Sequence, residues 1–408
     1  MGFLKGNAIV GQSGGPTAAI NATLSGVIRG AIEHSDIIGK IYGMRNGIEG
    51  FLEEKIVDLS EFFKDESRLA ELELTPAAAL GSCRKKLKSY ESDRDTYESL
   101  LRLFQKYDIR YFFYIGGNDS MDTVLKLSRF MEEHAYEMRI IGVPKTVDND
   151  LAATDHTPGF GSAAKFVATT IKEILRDVSV YTVKAVTIVE IMGRDAGWLA
   201  ASAALPALSG GAGPDLVYLP ESVFDIEKFL TDVQKCLDRH PAVLVAISEG
   251  IKLADGEYVG SSGTVVDAFG HKALSGAGKV LENIVKDRIG CKVRSIELNL
   301  PQRCAAHLSS LTDINESVGV GKAAVDCALS GKTAQMMTIN RKNEAEYSIF
   351  YSSEDISGIA NAVKTVPQEY INSDGNGVID ECLEYLLPLI LGEVSPIYEA
   401  GMPKHLII

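Results

Sequence analysis

Short apolar runs alternate with longer amphipathic stretches along most of the chain, and this alternation is the clearest pattern in the sequence. The runs predict β-strands at 7–11, 36–44, 111–115, 139–144, 184–193, 215–220, 242–248 and 293–300. The amphipathic stretches predict helices at 17–33, 91–107, 120–134, 160–177, 195–205, 225–239, 275–289 and 312–330. Strands that alternate with helices build βαβ units, so the sequence predicts an α/β fold with mostly parallel sheets.

Loops rich in glycine, proline or charged residues follow six of the predicted strands. They read GQSGGPTAAIN, GGNDS, PKTVDND, MGRDAGW, SEG and PQR. In an open parallel sheet the carboxyl ends of the strands lie along one edge, where ligands bind. Any single loop of this kind can be an ordinary turn, but six at the same topological position indicate a binding site.

Size and charge narrow the class of protein. The chain has 408 residues, more than one hydrophobic core usually holds, so two domains are expected. A formal net charge of −14 argues against nucleic acid or an anionic membrane as a partner. No apolar run is long enough to span a bilayer, and the first residues lack the pattern of a signal peptide. The six cysteines are too widely spaced for a zinc or redox motif and are expected to be free thiols of a cytoplasmic protein.

Two early segments have the features of an anion site. In GQSGG the glycines allow close approach of a phosphate, and a helix expected from about Thr17 offers free N–H groups. The segment LGSCRKKLKSY places Arg84, Lys85, Lys86 and Lys88 near a predicted helix N-terminus. Cations there oppose the helix dipole, so an anionic ligand explains them better. A plain turn and a solvated helix start are the alternative interpretations.

The segment VPKTVDND is the most informative one. Phosphoryl transfer needs a group that accepts the proton of the attacking hydroxyl and a carboxylate that holds Mg²⁺ against the phosphates. Asp148 and Asp150 supply both, with Thr146 as a hydroxyl donor and Lys145 as an extra cation. The sequence therefore predicts a phosphoryl-transfer site here, with an Asx-rich turn as the alternative.

Taken together, GGPTAAIN, GGNDS, PKTVDND, VEIMGRDAGW, ISEG and QR resemble the phosphofructokinase family, in this order and over about residues 7–330. The resemblance implies two Rossmann-like three-layer α/β domains with mostly parallel sheets and the active site in the cleft between them. The implied reaction transfers a phosphoryl group to the 1-hydroxyl of fructose 6-phosphate, with Mg²⁺. We expect a donor-binding domain at 1–148 plus about 296–340, a sugar-phosphate domain at 149–295, and a C-terminal segment at 341–408 that packs on both without a chemical role.

The resemblance also implies roles for individual residues. Asp148 is expected as the general base, Thr146 as a donor to the phosphoryl group in flight, and Arg194 as the charge that stabilises it. Expected on the sugar side are Met192, Gly193, Arg194, Glu249, Arg294 and Arg303. Expected on the phosphoryl-donor side are Gly15, Arg84, Asn118, Asp119 and Lys145. Asp119 and Asp150 are expected to hold Mg²⁺.

Three positions depart from the family pattern. An arginine that usually contacts the sugar phosphate is Ala185, and a frequent histidine before QR is Leu300. The usual GGD reads GGN, which removes a carboxylate at Asn118. The contacts made at these positions in other members must be absent or replaced here.

Two further residues concern the phosphoryl donor. Members that use ATP typically read GGDGS and PGTIDND, whereas Asp119 and Lys145 replace a glycine in each motif here. An aspartate fills the space of the nucleotide α-phosphate and ribose and repels them, by roughly 4 kcal/mol at 4 Å and an effective dielectric of 20. Lys145 suits a compact, highly charged donor. The pair resembles the pyrophosphate-dependent branch, and an ATP-dependent enzyme is the alternative.

The expected partners are fructose 6-phosphate, pyrophosphate and further copies of the chain. The resemblance implies that Arg294 and Arg303 form the pair that binds the 6-phosphate. Because one arginine of this pair typically comes from a neighbouring subunit, the resemblance also implies a homodimer or homotetramer with the sugar-phosphate site near the interface. Sedoheptulose 7-phosphate carries the same reactive groups as fructose 6-phosphate. A non-catalytic phosphosugar-binding regulator is the rival from another class, and Asp148 argues against it because a sensor has no use for a general base.

Overall fold

The apolar runs form the strands of two separate β-sheets in a computed structural model that describes residues 4–210, 212–260, 276–359 and 362–408. The strands are β1 (Gly6–Gln12), β2 (Ile38–Met44), β3 (Ile56–Asp58), β4 (Ile109–Gly116), β5 (Arg139–Pro144), β6 (Ala185–Ile191), β7 (Leu216–Tyr218), β8 (Ala242–Ser248), β9 (Lys292–Glu297), β10 (Gln335–Arg341), β11 (Ile349–Asp355), β12 (Tyr398–Glu399) and β13 (Met402–Pro403). The helices are α1 (Ile20–Glu33), α2 (Gly47–Leu52), α3 (Leu59–Phe62), α4 (Glu66–Glu73), α5 (Arg94–Lys106), α6 (Asn118–Glu133), α7 (Phe160–Val178), α8 (Trp198–Ser202), α9 (Ile226–Arg239), α10 (Ala277–Arg288), α11 (Leu311–Leu329) and α12 (Asp380–Leu386).

The first sheet has seven strands in the order β11-β10-β5-β4-β1-β2-β3. Its five inner strands are parallel, and β11 and β3 are antiparallel at the edges. The central strands β1 and β4 are almost fully buried because apolar clusters cover both faces of the sheet. Burial on both faces explains why these strands are continuous apolar runs in the sequence.

The second sheet has four parallel strands in the order β7-β8-β6-β9, again between two apolar clusters. The predicted fold class, α/β with two Rossmann-like three-layer domains and mostly parallel sheets, is confirmed. Each predicted strand and helix is found within a few residues of its expected bounds; the first residue of the helix predicted at 275–289 lies outside the described residues.

The edge of the first sheet extends further along the chain than expected. The donor-side segment was predicted to end near 340, which falls inside β10, and the antiparallel β11 continues the sheet to Asp355. Only partial burial of β11 leaves it without a clear apolar run, which is why the sequence pattern did not predict it. The division into domains itself stays a prediction.

Two glycines allow α1 and α11 to pack in close contact. A Cβ atom on Gly26 would lie 2.1 Å from the carbonyl oxygen of Val318, and one on Gly321 would lie 2.3 Å from that of Thr23. The backbones of the two helices therefore touch at a place where no side chain fits. This contact brings α11, which follows the second sheet in the chain, onto the first sheet.

A buried histidine ties several elements together behind the site. His156 contacts Asp155 at 2.8 Å through Nδ1 and Glu316 of α11 at 2.5 Å through Nε2. Arg341 of β10 donates to Asp155 and Tyr347 donates to Glu316. Hydrogen bonds to both carboxylates outweigh the effect of burial and raise the pKa of His156.

The C-terminal segment contacts both halves of the molecule. Leu386 of α12 and the following Leu389 belong to an apolar cluster of the second sheet, whereas Leu406 donates its N–H to Thr75, which follows α4 on the first-sheet side. Among the described residues, no helix is both long and apolar enough to cross a lipid bilayer.

Candidate active site

A cleft of about 510 Å³ lies where the carboxyl ends of strands from both sheets face each other. This volume is in the range of small-molecule sites. Most of the predicted site residues line it, namely Gly15, Arg84, Asn118, Asp119, Lys145, Thr146, Asp148, Asp150, Met192, Arg194, Glu249 and Arg303. Gly193 and Arg294 do not. The structure thus brings the predicted residues together, while their roles stay predictions.

The loop after β1 is joined to the segment that carries Arg84. Ser13 and Cys83 form a parallel bridge, the N–H of Gly14 donates to the carbonyl of Cys83 at 3.1 Å, and Ser82 Oγ donates to the carbonyl of Gly14 at 2.6 Å. These bonds fix Arg84 beside the glycine loop at the donor end of the cleft.

Two local details of these segments differ from the prediction. Helix α1 begins at Ile20 rather than at about Thr17. The segment with Arg84 and Lys86 is neither helix nor strand, and α5 begins only at Arg94. The argument from an unfavourable helix dipole therefore does not apply, although both Arg84 and Lys86 line the cleft.

Helix α6 begins directly after β4 and points its N-terminus into the cleft. Its first residues are Asn118 and Asp119, so Asp119 lies in the first helical turn, where the helix dipole favours a carboxylate. Asp119 also accepts a hydrogen bond from Lys86 at 3.0 Å. The carboxylate in this anion site is thus neutralised by two independent features, which the sequence did not reveal.

The TVDND loop after β5 forms the floor of the cleft. Asp148 and Asp150 line it, whereas Asn149 between them is fully buried and has a left-handed backbone with a φ of 54°. The hydroxyl of Thr146 accepts the N–H of Asp148 at 3.1 Å. The loop therefore presents two carboxylates on one side and the amide of Asn149 on the other.

Desolvation dominates the electrostatics of this floor. Burial raises the pKa of Asp148, and the charges of Asp150 and Glu249 add to the effect. Burial also raises the pKa of Asp150. Lys145 donates to the carbonyl of Gly15 at 2.6 Å, and burial lowers its pKa to about 8 in spite of the nearby carboxylates. A carboxylate whose pKa is raised toward neutrality suits a general base.

The loops after β6 and β8 form the opposite wall. Gly193 lies behind this wall, with its N–H directed to Glu249 Oε1 at 3.4 Å. A Cβ atom on Gly250 would lie 1.8 Å from the carbonyl oxygen of Arg194, so the SEG and MGR loops can touch only through a glycine. Burial raises the pKa of Glu249 to about 7. The two loops hold Arg194 and Glu249 side by side.

The two predicted 6-phosphate arginines lie far apart. Arg303 lines the cleft beside Gly15, where its Nη1 would be 3.1 Å from a Cβ atom on that residue. Arg294 is exposed on β9, level with Thr187 of β6, and lines a separate cavity with Tyr181 and Ala185. It is aligned with the middle of the strands rather than with their carboxyl ends and does not line the cleft of its own chain.

Two buried polar atoms of residues that line the cleft have no hydrogen-bond partner among the described residues. They are Oδ1 of Asn118 and Nε of Arg194. Such groups usually find a partner in folded proteins, and here a ligand can supply it. Asp195, Ala196 and Val363 also line the cleft and were not predicted. Val363 follows Asp150 by more than 200 residues and pairs with Leu151, and local sequence patterns carry no signal for such a contact.

A phosphotransferase is the class of enzyme that this two-sheet fold and the charge pattern of its cleft define. The chain belongs to the phosphofructokinase family, whose model, described as Phosphofructokinase, matches residues 7–328. The predicted family membership is therefore confirmed.

Individual relatives match over nearly the whole chain. A protein from Halomonas elongata named pyrophosphate–fructose 6-phosphate 1-phosphotransferase is 42% identical over 400 residues, which covers 98% of this chain and 95% of the relative. A protein of the same name from Xanthomonas campestris pv. campestris is 43% identical over 404 residues, 98% of this chain and 96% of the relative. The crystal structure of pyrophosphate-dependent phosphofructokinase from Nitrosospira multiformis superposes with a TM-score of 0.89 at 39% identity, covering 98% of this chain and 96% of that one.

Proposed function

We propose that the chain transfers a phosphoryl group between pyrophosphate and the 1-hydroxyl of fructose 6-phosphate, giving fructose 1,6-bisphosphate and phosphate, in a reaction that runs in both directions. The observation that carries the proposal is the position of Asp148, which lies between the donor loops of the first sheet and the loops of the second. The names of the relatives with about 40% identity support the same reaction.

The chemistry follows from the charges around the floor of the cleft. Asp148 accepts the proton of the 1-hydroxyl as its oxygen attacks the terminal phosphorus of the donor, and the bond to the leaving phosphate breaks. Arg194, whose Nε lacks a partner among the described residues, stabilises the charge on the transferred group. Thr146 and Lys145 contribute a hydroxyl and a cation from the same loop.

Pyrophosphate fits the donor end of the cleft better than a nucleotide does. The ion pair of Asp119 and Lys86 fills the space at the N-terminus of α6, while Lys145 and Arg84 face the glycine loop. A two-phosphate donor ends before that pair, whereas a nucleotide has to extend past it. The pair therefore favours pyrophosphate over ATP.

The residues of the cleft fit a magnesium ion. The described residues contain no group of three or more His, Cys, Asp or Glu side chains suited to hold a metal, but Mg²⁺ commonly uses one or two carboxylates together with the phosphates of the substrate. Asp150 would provide such a carboxylate, and the unpartnered Oδ1 of Asn118 a further oxygen. Asp119 is a poorer ligand than expected, because Lys86 occupies one of its oxygens. When bound, the ion neutralises charge on the phosphates.

Arg294 supports a role for a second copy of the chain. It lies outside the cleft on a face with the exposed apolar residues Val180, Tyr181 and Val183. We propose that it reaches the sugar-phosphate site of a neighbouring copy in a homodimer or homotetramer. Mixing inactive Arg294→Ala and Asp148→Asn chains should restore part of the activity if this is so, and no recovery in a confirmed mixed oligomer would contradict it.

The decisive experiment compares pyrophosphate with ATP as donors for purified protein with fructose 6-phosphate and Mg²⁺. Activity with ATP alone would overturn the donor assignment. Asp148→Asn should lose turnover while still binding fructose 6-phosphate, and an unaffected rate would favour a binding protein over an enzyme. Sedoheptulose 7-phosphate in place of fructose 6-phosphate tests the sugar range. The cytoplasmic location stays a prediction.

A further inference from the structure

The C-terminal segment forms hydrogen bonds with Asn149, the one buried residue of the TVDND loop. Asn149 is fully buried, and its Oδ1 accepts a hydrogen bond from Lys364 Nζ at 3.2 Å while its Nδ2 donates to Tyr385 Oη at 3.2 Å. Both ends of its side-chain amide are thus held by residues more than 200 positions away. The family match ends at residue 328, so Lys364 and Tyr385 lie outside the part of the chain that the family model describes.

The ammonium group of Lys364 is fixed by a full set of acceptors. Besides Asn149 it donates to the carbonyl of Thr154 at 3.2 Å and to that of Asp155 at 2.5 Å, which uses the three donors an ammonium has. Nζ also lies 5.3 Å from the ring centre of Trp198. Burial lowers the pKa of Lys364 to about 8, so the group is still largely charged at neutral pH.

The backbone of the same segment adds further hydrogen bonds to the loop. The N–H of Lys364 donates to the carbonyl of Asp150 at 2.8 Å, and Val363 pairs with Leu151. Tyr385 Oη donates to the carbonyl of Asp155 at 2.6 Å, and its ring packs 5.1 Å from that of Trp198. Loop residues 149–155 are therefore bonded at both ends to the C-terminal segment.

We propose that Lys364 and Tyr385 are positioning residues that hold Asn149 in its left-handed conformation and so aim Asp148 and Asp150 into the cleft. The two aspartates flank Asn149 and point to the opposite side of the loop. Asparagine is one of the residues other than glycine that adopt a positive φ more readily, but the conformation still has a cost. The hydrogen bonds of Lys364 and Tyr385 to the side-chain amide stabilise it here. This proposal rests on the proposed phosphoryl transfer for its kinetic consequences.

The kinetic test uses Lys364→Met, Tyr385→Phe and Asn149→Gly. Glycine tolerates the positive φ but removes the amide that both residues hold. A misplacement of about 1 Å at a reacting group can cost about 100-fold, so we expect kcat to fall about 10- to 100-fold in Lys364→Met, with the KM for each substrate within about twofold of the wild type. Because Lys364 acts through Asn149, the double variant Lys364→Met/Asn149→Gly should lose no more kcat than the worse single variant. If the losses of kcat in the two single variants multiply in the double variant, the proposal is overturned.

A second measurement does not depend on activity. Amide hydrogen exchange of the peptide that covers residues 146–155 should be faster in Lys364→Met and Tyr385→Phe than in the wild type, while the strands of the first sheet keep their protection. Trp198 is the single tryptophan of the chain, so its emission should shift in both variants. Unchanged exchange and emission in a folded variant would refute the positioning role of Lys364 and Tyr385 even if the wild type proved inactive with pyrophosphate.

Two variants of the same segment are the controls. Tyr370→Phe removes the hydroxyl of another ring near Trp198, whose centre lies 6.4 Å from that of Trp198, and Lys404→Met removes an exposed cation that pairs with Glu71. Both should match the wild type in kcat and in loop exchange. Tyr385→Phe keeps the packing of the ring and loses only the hydroxyl, so it remains informative if Lys364→Met fails to fold. A loss of kcat in Lys404→Met as large as in Lys364→Met would show a general effect on the segment instead.

Discussion

The geometry of the ion pair between Asp119 and Lys86 allows the preference for pyrophosphate over ATP to be predicted quantitatively. The two groups are 3.0 Å apart, and their side chains are 33% and 48% exposed. A nucleotide α-phosphate at about 4 Å from Asp119 alone would be repelled by about 1 kcal/mol in water and about 4 kcal/mol at a dielectric of 20. With the ammonium about 3 Å farther away, the net repulsion falls to roughly 0.4 to 2 kcal/mol, about 2- to 20-fold in affinity. The repulsion of about 4 kcal/mol expected from Asp119 alone is therefore too large, because it omits the charge of Lys86.

Single substitutions of the pair should move donor preference in opposite directions. Removal of the carboxylate in Asp119→Gly relieves both repulsion and crowding, whereas removal of the ammonium in Lys86→Met leaves the carboxylate unscreened. The ratio of kcat/KM for ATP to that for pyrophosphate should thus rank Asp119→Gly above the wild type and the wild type above Lys86→Met. The double variant Asp119→Gly/Lys145→Gly should use ATP best, because it also opens the space beside Gly15.

The assay measures initial rates with each donor at saturating fructose 6-phosphate and Mg²⁺. Lys64→Met is a matched control, since Lys64 forms an exposed ion pair with Glu61 at 2.7 Å. Its donor ratio should equal that of the wild type. A higher ATP ratio in Lys86→Met, or an unchanged ratio in the double variant, would show that the gate against nucleotides lies elsewhere in the cleft.

Three further predictions concern stability and the sugar side. The pKa of His156 is raised in the folded protein, so the stability that its protonated ring contributes is complete below the unfolded pKa of about 6.5 and is lost as pH rises through the folded pKa. Urea unfolding should therefore show that His156→Gln lowers the free energy of unfolding by about 3–5 kcal/mol near pH 6 and by less toward pH 9. A difference between wild type and variant that does not change with pH would contradict this prediction. Gly26→Ala, which forces a Cβ atom against a carbonyl of α11, should destabilise by about 1–3 kcal/mol, while Gly358→Ala, with open space around it, should stay within about 0.5 kcal/mol. Gly250→Ala should displace Arg194 and lower kcat, and it should destabilise the fold by about 1–3 kcal/mol as in Gly26→Ala, because its Cβ atom would also meet a backbone carbonyl; normal kcat would show that the two loops can separate without consequence.

The strand-end loops were the part of the site that local sequence could predict. Asp148, Arg194 and Glu249 each follow a buried parallel strand, and this topology alone places them at one rim. The partner of Asp119 was not predictable in the same way. Lys86 belongs to a segment without helix or strand that follows the Ser13–Cys83 bridge, a contact between residues far apart in the chain.

The contacts of Lys364 and Tyr385 with the TVDND loop could not be predicted for a related reason. Lys364 lies in a stretch with no strand or helix pattern, and its three acceptors belong to residues more than 200 positions earlier. The C-terminal segment was expected to pack on the domains without a chemical role because nothing local distinguishes Lys364 from an exposed lysine. Side-chain contacts of this range are fixed only once the two sheets have been assembled.

The strand order of the first sheet has a consequence for biosynthesis. Strands β1 to β5 are made first, but β10, β11 and α11 join them only after all four strands of the second sheet have been made. Pairings between such distant segments close late, because the entropy of a long loop opposes them. We therefore expect the inserted second sheet to fold while the first still has an open edge at β5. The first sheet would then be completed after the second, and residues 335–355 would be the last strands to join it.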